Sequence, residues 1–184
     1  MADALKTNDR TTPEFTRPPA GHQLAVVLVE PQIPQNAGNI ARLCACTATE
    51  LFVVGQLGFR LSDRQFERAG LDYWQDVSWQ HVADFKDVLA QKPGWTPYFL
   101  STKAKQTYTA IAYPTKSLLV FGSETHGLPA WLIDQYAANS LRIPMLEGQR
   151  SLNLSNSVSI VLYEAMRQLA GSAQLAGSGG NQTS

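Results

Sequence analysis

Cysteine and histidine are scarce in this 184-residue chain, which has two cysteines and three histidines. The histidines His22, His81 and His126 are scattered, so the sequence offers no cluster with metal-ligand spacing and we predict no metal cofactor. Cys44 and Cys46 lie two positions apart in a predicted helix, where their side chains point in different directions and cannot easily form a disulfide. We therefore expect both thiols to be buried or partly buried packing residues.

The chain also has no excess of either charge, since 15 Lys and Arg residues balance 15 Asp and Glu residues. Proteins that contact many phosphates are usually basic, so the composition is not typical of a nucleic-acid-binding protein, although it allows a local basic patch or one assembled across a dimer. No apolar run approaches the roughly 20 residues of a membrane-spanning helix, and the N-terminus has no apolar signal core. These absences predict a cytoplasmic protein with no membrane association.

The length is suited to one domain that can bury a core of its own. Residues 1–22 are polar and contain three prolines, and residues 171–184 are rich in Gly, Ser, Ala and Gln. Both ends are predicted to be disordered tails around one folded domain at 23–170.

Apolar runs alternate with helical patterns inside this domain. Short continuous apolar runs, typical of strands covered on both faces, occur at 24–29, 51–54, 98–100, 118–121 and 141–143. Helical spacing is found at about 36–48, 85–91, 129–136 and 154–170. The alternation predicts an α/β domain with a mainly parallel sheet flanked by helices.

Three segments contain the polar residues and glycines that are most suited to binding a ligand or to catalysis. They are Asn36-Ala-Gly-Asn-Ile-Ala-Arg42, the glycine-rich stretch from Phe121 to Pro129, and Ile143-Pro-Met145 followed by Ser151-Leu-Asn-Leu-Ser-Asn-Ser157. Ligands of parallel sheets bind at the carboxyl ends of the strands, where the second and third segments begin. None matches a dinucleotide fingerprint or a P-loop. The residues alone therefore predict a pocket without naming its ligand, and ordinary strand–helix turns are the alternative.

A group of basic residues follows the predicted second strand. Arg60, Arg64 and Arg68 precede Tyr73 and Trp74. Such a group is typical of a surface that binds phosphates and stacks bases, and equally of a solvated face beside aromatic core residues. We interpret Trp79, Trp95 and Trp131 as packing residues. Lys103 and Lys105 follow a predicted strand, where they are candidates to approach a ligand; the alternative is that both are ordinary surface lysines.

The sequences of the three segments, together with Leu71-Asp-Tyr73, closely resemble the motifs of the SPOUT RNA 2′-O-methyltransferases. The resemblance is strongest to the short YibK/TrmL type. The resemblance extends over about residues 24–170. It implies a C-terminal trefoil knot, S-adenosyl-L-methionine as cofactor, and a homodimer with its sites near the interface. The implied reaction is methylation of the ribose 2′-hydroxyl of the wobble cytidine or uridine in the anticodon loop of tRNA.

The resemblance also assigns roles by position. It leaves open whether Arg42 is a base or an orienting group, and arginine is a poor base because its pKa exceeds about 12. It also leaves open whether Ser155 and Asn156 contact RNA or only cap a helix. His126 stands where the family often has arginine. The implied catalytic residues are Arg42, Glu124 and Asn153; the implied cofactor-binding residues are Leu100, Gly122, Ile143, Ser151 and Leu152; the implied substrate-binding residues are Asn36, Asn39, His126, Ser155 and Asn156.

Three alternatives remain at the level of sequence. The same chemistry could be directed to another ribose of tRNA or to ribosomal RNA. The fold could serve a non-catalytic RNA-binding factor, although an intact Arg42, Glu124 and Asn153 argue against it. An unrelated α/β enzyme acting on small nucleotides is the third.

Overall fold

The computed structural model describes residues 22–60 and 76–177, with side chains described up to residue 170. The Leu71-Asp-Tyr73 segment and most of the predicted basic group, Arg64, Arg68, Tyr73 and Trp74, lie outside the described residues. Arg60 is described and exposed.

The described residues form one seven-stranded sheet in which every pairing is parallel. In chain order the strands alternate with crossovers, and their order across the sheet is β3-β2-β1-β6-β4-β7-β5. The predicted parallel α/β sheet is therefore confirmed. The strands are β1 (Gln23–Val29), β2 (Glu50–Val54), β3 (Trp79–Val82), β4 (Thr96–Leu100), β5 (Gln106–Thr107), β6 (Lys116–Phe121) and β7 (Ser140–Arg142).

Local sequence explains where several helices begin and end. The first helix has a proline in its first turn, where no amide hydrogen is needed, and it ends at Ala48 in the left-handed conformation. The second begins with a capping box between Asp84 and Asp87. The helices are α1 (Pro34–Thr47), α2 (Phe85–Gln91), α3 (Ala130–Gln135) and α4 (Leu154–Gly177), with a 3₁₀ turn at Ala137–Asn139.

The core has two layers because both faces of the sheet are covered. Along β1, Leu24, Val26 and Leu28 face the layer that contains α1 and α4. Ala25 and Val27 face the opposite layer, which contains α2 and α3. Both sets of side chains are buried, which accounts for the unbroken apolar runs in the sequence.

The predicted elements differ from the observed ones in a few places. Strands β3 and β5 were not predicted, since β3 is only partly buried and β5 has two residues. Pro129 precedes α3 in an extended conformation instead of occupying its first turn. Helix α4 continues to Gly177, beyond the predicted domain boundary at 170. The tail boundaries and the trefoil knot stay predictions.

Two side-chain predictions were wrong. Trp131 is 56% exposed, because Leu132 is the residue of the short helix α3 that is buried in the core. Cys46 is exposed on α1, although Cys44 is buried as expected. Trp79 and Trp95 are partly buried against the two core layers, as predicted.

The two thiols should differ in reactivity. Burial raises the pKa of the Cys44 thiol to about 12, so its thiolate is scarce at neutral pH. We expect iodoacetamide at about pH 8 to label Cys46 alone in the folded protein and both cysteines in guanidinium. Peptide mass spectrometry would measure this, with Cys46→Ser as the unlabelled control. Labelling of Cys44 in the folded protein would contradict the buried position.

Candidate functional site

A cavity of about 760 Å³ opens at the carboxyl ends of β4, β6 and β7. Its size is in the range of pockets that hold small-molecule ligands. The loops that follow these three strands form most of its wall, and Ile33 and Asn36 at the start of α1 complete it. The position agrees with the general rule for ligands of parallel sheets.

The glycine-rich loop after β6 folds back on itself. The Ser123 amide donates to the Gly127 carbonyl at 3.2 Å, and the Gly127 amide donates to the Ser123 carbonyl at 2.9 Å. Gly127 has a φ of +69°, which favours glycine. A Cβ on Gly122 would lie 2.0 Å from the carbonyl carbon of Gly127. Glycine at 122 is thus required by the close approach of two backbone segments.

Glu124 in this loop is directed at the start of α1. Its carboxylate accepts hydrogen bonds from the Gln32 amide at 2.8 Å, the Ile33 amide at 3.3 Å and the Asn36 side-chain amide at 2.8 Å. Ile33, the N-cap residue of α1, has no side chain that could cap the helix. The carboxylate of a distant loop therefore supplies the acceptor and the negative charge that a helix N-terminus favours.

Asn153 caps the start of α4 in a similar way. Its Oδ1 accepts hydrogen bonds from the Ser155 amide at 2.9 Å, the Ser155 hydroxyl at 2.7 Å and the Asn156 amide at 3.3 Å. Its Nδ2 donates to Oδ1 of Asn36 at 3.0 Å. Glu124, Asn36 and Asn153 are thus consecutive members of one row of hydrogen bonds, which we call the Glu124–Asn36–Asn153 chain.

Most of the predicted site residues lie together. The predicted substrate-binding residues Asn36 and His126 are among the residues of the wall, as are Glu124 and Asn153. Ser155 and Asn156 lie at the first turn of α4, next to the wall, where Asn153 accepts from their amides. All five residues predicted to bind the cofactor line the cavity: Leu100, Gly122, Ile143, Ser151 and Leu152.

Arg42 and Asn39 occupy a different place. Both are exposed on α1, and neither is among the described residues that line the cavity. Arg42 follows Asn36 by six positions, which is about 9 Å along the helix axis. The same chain therefore does not bring its Arg42 to the wall of its own cavity.

The wall also contains residues that the sequence did not single out. Arg150 is exposed and precedes Ser151, and Asp134 is exposed on α3. Lys103, which the sequence suggested, lines the cavity from the loop after β4. The position of Lys103 after a strand end indicated from the sequence that it could lie at the cavity. For Arg150, nothing in the sequence indicated this except that it precedes Ser151. The two cations share the wall with two carboxylates, Glu124 and Asp134, so the cavity offers both signs of charge.

Two other kinds of site are absent from the described ranges. Within residues 22–60 and 76–177, no group of three or more His, Cys, Asp and Glu side chains is placed to hold a metal ion. No helix in the same ranges is long and apolar enough to cross a membrane.

Sequence comparison relates the chain to known proteins. The profile described as the SpoU rRNA Methylase family matches residues 23–163. A relative from Yersinia pestis, named tRNA (cytidine(34)-2'-O)-methyltransferase, is 44% identical over 152 residues, which cover 79% of this chain and 94% of the relative. A relative of the same name from Escherichia coli K12 is 43% identical over 147 residues, with coverage of 79% and 94%.

Solved structures agree. One, described as "Structural insights into the 2-OH methylation of C/U34 on tRNA", superposes with a TM-score of 0.77 at 38% identity and covers 82% of this chain and 99% of that chain. An AdoMet-bound rRNA methyltransferase from Sinorhizobium meliloti has a TM-score of 0.71 at 24% identity, covering 84% of this chain and 59% of that chain. The second similarity shows a shared fold.

The close approach at Gly122 predicts an unusually costly substitution. In Gly122→Ala the new methyl group would meet the Gly127 backbone, so we expect a loss of about 3 kcal/mol or more of unfolding free energy. Gly127→Ala is the matched control, because its Cβ would meet no atom within 4 Å and only the φ of +69° opposes it, at a cost of about 1–2 kcal/mol. Denaturant unfolding measures both, and equal losses would contradict the steric argument.

Proposed function

Because this chain belongs to the SpoU rRNA methylase family, we propose that it transfers a methyl group from S-adenosyl-L-methionine to the ribose 2′-hydroxyl of nucleotide 34, the wobble position in the anticodon loop of a tRNA. One observation carries the proposal. The loops that contain the glycine-rich and Ser151–Ser157 segments form one cavity with Asn36, in a chain that spans 94% of relatives named for this reaction. With tRNA as substrate, we place the reaction in the cytoplasm.

The wall of the cavity is chemically suited to the proposed cofactor. Leu100, Ile143 and Leu152 supply apolar surface. Gly122 has no side chain, so the glycine-rich loop can fold back on itself and border the cavity with its backbone. When bound, the cofactor supplies an electrophilic methyl group on a sulfonium. The residues that would hold it are Leu100, Gly122, Ile143, Ser151 and Leu152.

Exposed residues around the cavity are the candidates for RNA contact. Lys103 and Arg150 would pair with phosphates, which Arg in particular binds in a fixed geometry. His126 and Asn156 are exposed at the glycine-rich loop and at the first turn of α4. Together these side chains would hold the anticodon loop with its ribose over the cavity, so that alignment lowers the barrier to an in-line displacement.

Glu124 and Asn153 would act by shaping the site. Three N–H groups donate to the Glu124 carboxylate, so its oxygens serve as acceptors that hold the start of α1. Asn153 holds the first turn of α4 beside Ser151 and Leu152. We therefore assign them to keeping the two loops in position around the reactants.

We further propose that the enzyme is a homodimer in which Arg42 serves the partner's cavity. Arg42 is exposed on α1, away from the wall of its own cavity. The neighbouring helix α4 exposes 37% of Ile160 and 56% of Tyr163, an apolar pair one turn apart that a second copy would cover. In this arrangement Arg42 and Asn39 of one protomer would face RNA bound by the other. The Arg42 guanidinium would orient a phosphate or the developing alkoxide.

The proposed activity is tested with unmethylated bulk tRNA, the purified protein and S-adenosyl-L-methionine. We expect nucleoside mass spectrometry with positional mapping to find new 2′-O-methylcytidine or 2′-O-methyluridine at nucleotide 34, the position named for the relatives. Ribosomal RNA is assayed in parallel, and its methylation instead of tRNA would favour the alternative target that the family description names. Absence of cofactor binding in calorimetry would refute the methyltransferase proposal.

Arg42→Ala should separate catalysis from cofactor binding. We expect kcat to fall by about 100-fold or more, as for removal of a group that stabilises developing charge, with the Kd for S-adenosyl-L-methionine unchanged. Lys86→Ala, which removes one exposed cation from α2 on the other side of the sheet, is the control.

The dimer arrangement adds a sharper test. A mixed dimer of Arg42→Ala and Leu152→Glu has one intact cavity, which faces an intact Arg42 only if the sites are shared between subunits. Leu152 lines the cavity and is 39% exposed, so its replacement by Glu obstructs the cavity without a backbone clash. Recovered activity on mixing supports the shared site, and no recovery despite proven heterodimers contradicts it.

A further inference from the structure

Asn36 is a buried polar residue that the reaction itself does not require to be buried. Its side chain is 5% exposed at the start of α1, although the same turn contains exposed polar positions. Each polar end of its amide has a defined partner, Glu124 on one side and Asn153 on the other. A buried amide with both ends satisfied fixes geometry, because any rearrangement leaves a polar group without a partner.

The hydrogen bonds of the Glu124–Asn36–Asn153 chain have one direction. The ionised Glu124 carboxylate can only accept, so Nδ2 of Asn36 must face it. Oδ1 of Asn36 then faces Asn153 and can only accept from its Nδ2. Oδ1 of Asn153 is consequently turned to the amides at the start of α4. The carboxylate thus determines the orientation of two successive amides.

This row of hydrogen bonds connects three parts of the site. Glu124 belongs to the glycine-rich loop, Asn36 to the helix that carries Arg42, and Asn153 to the segment that begins with Ser151. The partners are 88 and 117 residues apart in the chain. Movement of Asn36 would release the α4 end of the cavity wall from the glycine-rich loop.

We propose that Asn36 is a positioning residue: its amide transmits the anchoring of Glu124 to Asn153 and so holds Ser151 and Leu152 in their place at the cavity. The inference rests on the proposed function for the identity of the ligand, and it deepens that function by assigning Asn36 to the geometry of the cofactor-binding wall. Contact with the RNA is not needed for this role.

Two single variants should break the chain in different ways. In Asn36→Asp, two carboxylates would face each other within hydrogen-bonding distance. In Glu124→Gln, the new side-chain NH2 group must face either the Gln32 amide hydrogen or Nδ2 of Asn36, so two donors meet in either orientation. We expect each variant to raise the Kd for S-adenosyl-L-methionine by about 10- to 100-fold and to lower the Tm of the ligand-free protein by roughly 3–10 °C.

The double variant, which combines Asn36→Asp with Glu124→Gln, should recover most of the loss. The carboxylate introduced at position 36 would accept from both the new amide at position 124 and Asn153, so Asn153 keeps its direction and the net charge equals that of the original protein. Of the original donors to Glu124, the Ile33 amide, at 3.3 Å, loses its acceptor. We expect a Kd within about fivefold of the original value. A double variant whose losses are the sum of the two single losses would overturn the proposal, because additive losses mean that the two positions are not coupled.

Two controls separate positioning from a general effect on folding or charge. Gln35→Glu adds the same negative charge at an exposed position on the same helical turn and should leave the Kd unchanged. Asn139→Asp removes the hydrogen bond from Asn139 to the Pro97 carbonyl, which measures 3.0 Å and lies near the amino end of β4. It should lower the Tm without changing the Kd, and an equal rise in Kd there would refute a specific role for Asn36.

The experiment also distinguishes this inference from the proposed function. If the original protein binds no S-adenosyl-L-methionine, the proposed function fails. The Tm values of the ligand-free variants still test the coupling. Recovery of Tm in the double variant supports the Glu124–Asn36–Asn153 chain, and additive losses of Tm contradict it.

Discussion

The site depends on one constraint, which is that a sheet of parallel strands buries both of its faces. Because the strands run in the same direction, every crossover must return to the amino edge, and all loops that follow strands collect at the carboxyl edge. Segments far apart in the sequence, such as those beginning at Ser101, Gly122 and Ile143, are therefore adjacent in space. Helices α1 and α4 cover one face and bring Asn36 and Asn153 to the same edge.

The fold was largely predictable because burial on both faces leaves a strong pattern. Runs such as 24–29 and 118–121 have almost no polar residue, and the pairing of Gln23 through Leu28 with Lys116 through Phe121 forms the centre of the sheet. The strands that escaped prediction are those that burial does not mark: β3 at an edge and the two-residue β5. The predicted trefoil knot has no periodic signal in the sequence, so that prediction depends on the family resemblance alone.

The sequence predicted which residues line the site better than it predicted the hydrogen bonds between them. Residues at strand ends or directly after them, such as Leu100, Gly122 and Ile143, line the cavity as the motifs suggested. The partners of Glu124 could not be deduced, since its contacts with Gln32 and Asn36 join residues about 90 positions apart. A sequence motif identifies polar residues near a ligand, but it does not reveal which of them are occupied with one another.

The folded-back glycine-rich loop has a consequence for the range of ligands. Gly122 lies against the backbone of Gly127 and Leu128 with no room for even one carbon. The backbone on this side of the cavity therefore cannot move inward to make space for a larger ligand. If the cavity holds S-adenosyl-L-methionine as proposed, an analogue with a larger transferable group would need space elsewhere in the wall. Shortening Leu100 or Met145, whose side chains border the cavity, is the route by which such synthetic donors could be admitted.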